Sequence, residues 1–524
     1  MEEYWSMKLW FRKLLKFNSS VKNHFSVLKR VSNTILLVLL FFLILPLKTQ
    51  AYLQFDQNCI LAYQKIWNLE LAQAGKLIHS EKISNPNNNI PVLLENYIGF
   101  LRVFTHDTAP EYEQFKSLCS QNLEILNKEE STNSPLLLFS KAQIHLQSAL
   151  IRVKYQDYWS ATFELRKAYT LLEKNNQLFP GFILNPLYIG IIESLLGNLP
   201  PNLKFILGPM GLKGNVNEGL SKIESNFTRL KTGSFNFYYP EQAFYYTFLC
   251  SNLAPGRKSY TELIQLNEPV SDKSQFKIYI NALLAIKKYQ NDNAITILRS
   301  KMEGNEYAPF PFLDYLTGQV YLNRLDLNCI PYFESYLKNG PSAVNKKDTH
   351  LRIGWAYVLS GKDELAKKQF SECLIKTNEP LSEKDKQAMK EAERGIPNKS
   401  LLKARLLFDG GYFDSSLEIL TRLDSIQLKT SREKLEYTYR KGRILEAKGK
   451  YAESIFFYKK TLDQGRNEPY YFAANSCLHL GLIAETQKNL KLAKQYYQNC
   501  LEMDEKEYKG SIDLEAQNGL NRIK

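Results

Sequence analysis

Six histidines stand at His24, His79, His106, His145, His350 and His479. None falls in HExxH, HxH or another spacing that gathers imidazoles around one metal. His106 and Asp107 are adjacent beside Pro110, a pairing that reads as a turn or helix cap rather than an acid–base couple. Glu391 and Glu393 lie in "SEKDKQAMKEAER", a solvated mixed-charge helix face. No GxSxG elbow presents a serine nucleophile. The glycines from Gly208 to Gly214 are not a phosphate loop, because Lys213 precedes Gly214 and Asn215 follows it. Seven cysteines, Cys59, Cys119, Cys250, Cys329, Cys373, Cys477 and Cys500, are scattered with no CxxC pair, so they read as buried structural thiols. Residue chemistry thus points to no reaction, and no metal or cofactor is expected.

The elements that carry these residues start with a leader. The first 51 residues hold eight Lys or Arg against two Glu, then the run "ILLVLLFFLIL" from Ile35 to Leu45, then "PLKTQA". A basic start, a short apolar core and small residues at Thr49 and Ala51 predict a secretory signal cleaved after Ala51. The alternative is an uncleaved anchor, with residues 31–47 associating with the membrane. Either way the bulk of the chain is expected across the membrane, on the periplasmic or extracellular side. The leader holds +6 of the chain's formal +14. The remaining +8 is spread too thinly for a nucleic-acid footprint, so no nucleic-acid partner is expected.

Beyond the leader, spacing rather than composition is informative. In "RIGWAYVLSGKDELAKKQFSECL", Gly354, Tyr357, Gly361, Ala366, Phe370 and Cys373 define a ruler. Gly442, Leu445, Gly449, Ser454, Tyr458 and Thr461 fall at the same offsets, as do Gly481, Ala484, Ala493, Tyr497 and Cys500. Residues three and four apart share a helical face, so each copy predicts two helices joined by a turn at the second glycine. Weaker copies follow Tyr158, Ala161, Leu165 and Ala168; Ala294 and Leu298; Gly318 and Tyr321; and Gly410, Tyr412, Ser415 and Ile419. Pro331 is expected to disturb the second helix of the Gly318 copy.

The small–aromatic–small series resembles the tetratricopeptide repeat, whose unit is about 34 residues. That resemblance implies an all-α helical-hairpin solenoid that binds partners along a face. The copies depart from the family in lacking its first-helix Trp, replaced by His350, Thr438 and Cys477, and its closing Pro.

The rhythm breaks between Asn185 and Ser225, where Gly197, Pro200, Pro201, Gly208, Pro209, Gly211 and Gly214 interrupt the apolar pattern. One short helix is expected there, over Leu203 to Leu207. Leu199, Pro200, Pro201, Gly211, Gly214, Gly219 and Leu220 resemble the mid-chain element of inclusion-body clearance-type repeat proteins, which implies a scaffold rather than a reaction. Next, "SFNFYYPEQAFYYTFLC" places seven aromatics in Phe235–Tyr246. They are expected to be core joining two helical halves; Tyr245 and Tyr246 are the rings that could instead face an apolar or glycan ligand.

The expected organisation is a leader (1–51), an N-terminal helical region of degenerate repeats (52–180), an atypical Pro/Gly- and aromatic-rich element (181–265), a C-terminal array (266–510) and a capping helix (511–524). The expected function is an exported, non-enzymatic scaffold for a protein or peptide partner. The alternatives are a small-ligand or glycan binder and an α-helical enzyme. If the ruler is right, Phe370→Ala costs ~3–5 kcal/mol in urea unfolding and Ala366→Leu ~1–3 kcal/mol; parent-like melts for both variants would refute the register.

Overall fold

Polar residues with short side chains recur just ahead of the apolar runs, and they start helices. Asp56, Thr108, Ser134, Asp157, Ser274, Ser382 and Thr430 each accept a free first-turn amide. Ser259 and Thr430 complete capping boxes with Glu262 and Glu433. The computed structural model describes residues 52–106, 108–128, 134–199, 212–340, 344–377, 381–503 and 507–523.

The first helices are α1 (Gln57–Trp67), α2 (Leu71–Ser84), α3 (Ile90–His106), α4 (Ala109–Asn127), α5 (Pro135–Lys154) and α6 (Tyr158–Leu178). The middle holds α7 (Asn185–Gly197), α8 (Val216–Ser225), α9 (Phe227–Thr232), α10 (Tyr239–Leu253) and α11 (Tyr260–Asn267). Then follow α12 (Gln275–Lys287), α13 (Asn291–Arg299), α14 (Phe312–Asn323), α15 (Cys329–Asn339), α16 (Lys346–Leu359), α17 (Asp363–Leu374) and α18 (Glu383–Glu393). The chain closes with α19 (Lys399–Asp409), α20 (Phe413–Arg422), α21 (Ser431–Ala447), α22 (Tyr451–Gly465), α23 (Phe472–Thr486), α24 (Leu490–Leu501) and α25 (Lys509–Arg522). Among the described residues the fold is all-helical, a solenoid of helical hairpins.

Eight hairpins follow one ruler, with the second helix of α14/α15 one residue early: α1/α2, α5/α6, α12/α13, α14/α15, α16/α17, α19/α20, α21/α22 and α23/α24. Each first helix buries a small residue, in order Ala62, Ala149, Ala282, Gly318, Gly354, Ala404, Gly442 and Gly481. Seven residues later comes a left-handed residue: Leu69, Gln156, Tyr289, Leu325, Gly361, Gly411, Gly449 and Lys488, with φ between 57° and 81°. The next amide reaches the carbonyl five residues back at 2.8–2.9 Å in all eight, from Glu70 to Lys65 through to Asn489 to Ala484. This is the Schellman closure of a helix end.

Each second helix answers with a buried small residue: Ala74, Ala161, Ala294, Cys329, Ala366, Ser416, Ser454 and Ala493. One turn further comes a large one: Ile78, Leu165, Leu298, Phe333, Phe370, Leu420, Tyr458 and Tyr497. Size is matched between the helices. Where the first helix carries glycine, the large residue is aromatic; where it carries alanine, the large residue is Leu or Ile. A Cβ on Gly442 would come within 2.7 Å of the Tyr458 ring, one on Gly481 within 2.6 Å of Tyr497, and one on Gly318 within 2.7 Å of Phe333. Phe370 lies against Gly354 in the same way. Ser454 and Ser416 tie the pairs further, donating to Gly442 O (2.8 Å) and Ala404 O (2.6 Å).

Two details of the spacing differ from expectation. In α19/α20 the register sits one residue on: Gly411 is the left-handed residue, and Ser416 and Leu420 are buried, whereas Gly410 has φ −83° and Ser415 is exposed. Pro331 does not disturb α15. It lies in the first turn, where its missing N–H has no intrahelical acceptor to lose.

The middle region keeps the same logic with glycine on both sides. A Cβ on Gly190 of α7 would come within 2.5 Å of Gly219 O on α8, and one on Gly197 within 2.5 Å of Val216 N. Residues 200–211, including the short helix expected over Leu203–Leu207, lie outside the described residues, as does the leader. Residues from Leu53 onward form one compact unit. One continuous core runs from Cys59 to Leu406, across the boundaries expected near 180 and 265, and separate clusters fill the C-terminal hairpins.

Contacts far apart in sequence hold the array together. Ser274 Oγ donates to Trp67 O (2.9 Å) and Ala308 N to Leu69 O (2.7 Å). Tyr289, at one hairpin turn, packs on Phe408 and Phe413 of another, and Tyr412 Oη donates to Asp292 (2.7 Å).

The turn position predicts opposite signs for two substitutions. At Gly449, where added side-chain atoms would meet open space, Gly449→Ala costs ~1–2 kcal/mol through backbone strain alone. At the equivalent Lys488, Lys488→Gly gains ~0.5–1 kcal/mol. Urea unfolding of both variants checks the pair, and equal signs would refute the shared turn.

Candidate functional site

Two groups of polar side chains are held away from solvent by this scaffold. The first is built around Glu241 in the opening turn of α10, which is 1% exposed. Tyr63 of α1 donates to its carboxylate, and so does Tyr97 of α3 at 3.0 Å. Tyr188 of α7 lies 3.2 Å from the Tyr97 hydroxyl. The Tyr63 and Tyr238 rings pack at 4.4 Å beside them. Burial pushes the Glu241 carboxyl up to about 7, against the hydroxyls that favour its charged form. Through these contacts it joins four helices.

The second group lines the first-helix side of the C-terminal hairpins. Residues three and four apart aim together: Arg440 and Arg443 beside Tyr439 on α21, and Tyr471, Asn475 and His479 leading into and along α23. With Arg405 and Phe408 of α19 and Ser511 and Glu515 of α25 they wall a cleft of about 450 Å³. A neighbouring cleft of about 410 Å³ shares Arg405, Arg440 and Tyr471 and adds Trp355, Arg394 and Arg432.

Most of these cations are already paired. Arg405 grips Glu391 with two hydrogen bonds (2.7 and 3.2 Å) and stacks on Trp355 at 4.8 Å. Arg440 Nε donates to Glu436 at 2.7 Å, and Arg432 and Arg394 share Glu507. Arg443 differs: it donates to the Tyr439 hydroxyl (3.0 Å), lies over Phe408 (5.0 Å), and is 3.9 Å from Glu446. Glu446 is itself taken by His479 Nδ1 (2.9 Å) and the Tyr458 hydroxyl (2.6 Å). Burial, then the nearby Arg443 charge, lowers the His479 pKa below its ordinary value.

The residues singled out by spacing lie between paired helices or at their turns. Ala366, Ala493, Tyr458 and Tyr497 are fully buried, Phe370 nearly so, and Gly354, Gly442 and Gly481 receive the rings. Gly361 and Gly449 hold the turns, while Tyr357 is half-buried. Tyr246 is fully buried, edge-on to Phe227 at 5.5 Å. Tyr245 is half-buried against Phe244 and Trp67. All seven cysteines are buried and free, and burial pushes the Cys119, Cys329, Cys373, Cys477 and Cys500 thiols up to about 12.

Asp56, Cys59 and Glu81 converge, with ligand atoms within 4.8 Å of one another. The Glu81 carboxylate is satisfied by the amides of Asn58, Asn85 and Asn88 at 3.0–3.3 Å, a hydrogen-bonded staple between α1, α2 and the following loop. His106 caps toward Glu111 at 3.2 Å, and Asp107 lies outside the described residues.

Spacing overlooked Glu241 and Arg443. A carboxylate alone within an aromatic run, and arginine rather than lysine on the first helices, were the available signals.

The family model of the tetratricopeptide repeat matches residues 435–463 and 474–507. Those segments are the α21/α22 and α23/α24 hairpins, with their Gly442–Tyr458 and Gly481–Tyr497 contacts. The chain carries tetratricopeptide repeats. Similar solved structures include the human IFIT1 dimer with PPP-AAAA (13% identity, 90% of this chain and 97% of that one, TM-score 0.29). Others are yeast Tom70 (13%, 89% and 88%, 0.24) and the APC/C hetero-tetramer Cut9-Hcn1 (10%, 90% and 99%, 0.26). No curated protein matches the chain in sequence. Tetratricopeptide arrays expose faces for partners, and the clefts described here lie on the first-helix side of the matched repeats.

Glu241 gives a pH test of the N-terminal polar cluster. Its folded pKa lies above the unfolded value of about 4.5, so the native state holds its proton more tightly. The resulting stability is fully present below about pH 4.5 and is lost as pH rises toward about 7, by up to about 1.4 kcal/mol per unit. Glu241→Gln keeps the hydrogen bonds and removes this slope; urea unfolding across pH 5–8 with unchanged slope in the variant would contradict it.

Proposed function

We propose that this chain is an exported scaffold that performs no reaction of its own and binds a protein or peptide partner along the first helices of its C-terminal repeats. The observation that supports this most directly is the pair of adjoining clefts that share Arg405, Arg440 and Tyr471. Their walls combine aromatic rings with guanidinium groups, the residue types favoured where proteins meet. Export is supported by the basic, apolar and small-residue order of residues 1–51. No helix among the described residues is long and apolar enough to cross a membrane, and residues 31–47 lie outside them. The mass of the native N-terminus reads whether cleavage after Ala51 or retention of an anchor is used.

The test is crosslinking of the full chain in its native setting, followed by mass spectrometry of the linked peptides. The expected result is partner peptides joined to α19, α21, α23 or α25. Recovery of no partner, or of links confined to α1–α11, would overturn the reading.

A further inference from the structure

Of the seven cysteines, two stand on facing helices of one hairpin: Cys477 on α23 and Cys500 on α24. The other five occupy five separate helices, no two of them in one hairpin. Cys477 and Cys500 are buried in the seam, at 0% and 1% exposure. Each thiol crosses to the opposite helix. Cys477 Sγ donates to Tyr496 O of α24 at 3.3 Å, and Cys500 Sγ donates to Ala474 O of α23 at 3.4 Å. Burial first, and then the neighbouring Cys500, push the Cys477 thiol up.

The preceding hairpin shows how closely side chains meet at these two positions. Cys477 stands four residues before Gly481, and Cys500 three residues after Tyr497. At the same offsets from Gly442 and Tyr458, the α21/α22 hairpin carries Thr438 and Thr461. The Thr461 hydroxyl donates to the Thr438 hydroxyl at 2.8 Å. A disulfide joins Cβ atoms roughly 3.5–4.5 Å apart, and γ atoms in hydrogen-bond contact place their Cβ atoms close to that range. The repeat geometry that brings two hydroxyls together in one seam therefore brings two thiols together in the next. Place in the array matters as well: α23/α24 is the last hairpin, closed off by α25, and the ends of a stack open most readily.

We propose that Cys477 and Cys500 are a redox pair that closes into a disulfide and staples α23 to α24 when the chain folds in an oxidising compartment, a reading that rests on the export proposed above. The oxidant is a small-molecule or carrier disulfide. While the hairpin is open, one cysteine thiolate attacks a sulfur of that disulfide and releases its first half. The second cysteine then attacks the mixed disulfide and releases the other half. Two cysteine thiols are oxidised, one disulfide is reduced to two thiols, and the two cysteine protons end on the departing sulfurs. Folding then buries the new bond in the seam, where a reductant reaches it only by opening the hairpin.

The test is refolding of the full chain under oxidised or reduced glutathione, then alkylation of free thiols in urea and mass spectrometry of the unreduced peptides. Under oxidised glutathione the Cys477 and Cys500 peptides are expected to be joined, with the other five thiols alkylated. The link bridges positions 23 apart, so protease cleavage within α23–α25 is expected to be about tenfold slower, or slower still, in the oxidised than in the reduced chain. Cys477→Thr combined with Cys500→Thr copies the Thr438–Thr461 pair. This double variant is expected to fold and to be cleaved at one rate under both conditions. Alkylation of both cysteines after oxidised refolding, preferential joining of either to another cysteine, or a parent-like redox response in the double variant would overturn the proposal. Protein from its native setting with both thiols free, yet closing under oxidised glutathione, would keep the pair and count against export.

Discussion

The close approach of two helices at a single small residue is the contact on which the rest of the structure depends. Removing a Cβ from Gly354, Gly442 or Gly481 leaves a shallow dish on the helix surface, and one ring of the second helix fills it. That ring is large, so its burial in the dish favours one helix crossing over others. A tyrosine in this role must also satisfy its hydroxyl. Tyr458 and Tyr497 do so on Glu446 and Glu485, each one turn beyond the glycine (2.6 and 2.5 Å). Packing and polar satisfaction are thereby set by three residues in each of these hairpins, the glycine, the tyrosine and the glutamate.

The turn follows from the same constraint. A hairpin that closes at a fixed depth leaves few residues to reverse direction, and a left-handed residue with a Schellman bond is the shortest solution. Glycine takes it without strain at Gly361, Gly411 and Gly449, while Leu69, Gln156, Tyr289, Leu325 and Lys488 accept the strain. Seven residues with side chains adopt a positive φ in the described chain, and five of them sit at this one position, so tertiary packing overrides backbone preference there.

This explains what the sequence could and could not reveal. Glycine–aromatic copies were legible, because both members are rare enough to mark a period. Alanine-based copies use common helix residues, so Ala161 with Leu165 and Ala294 with Leu298 were only weak signals and Ala62 with Ile78 vanished into the background. A hairpin with Gly-Gly at its turn was read one residue early, since either glycine could hold the positive φ and only the buried Ser416 and Leu420 distinguish them. The C-terminal cleft was not legible at all. Arg405 and Arg443 lie 38 positions apart along the chain, and no local spacing announces that they meet.

The two buried charge systems illustrate how repeat packing separates strength from recognition. Glu241 is enclosed by hydroxyls from three other helices; moving any of them exposes a costly carboxylate, so the cluster holds those helices in one arrangement. The C-terminal arginines lie on the first-helix surface lining the clefts. Lysine would not serve equally there, because Arg405 needs a planar face for Trp355 and two parallel donors for Glu391.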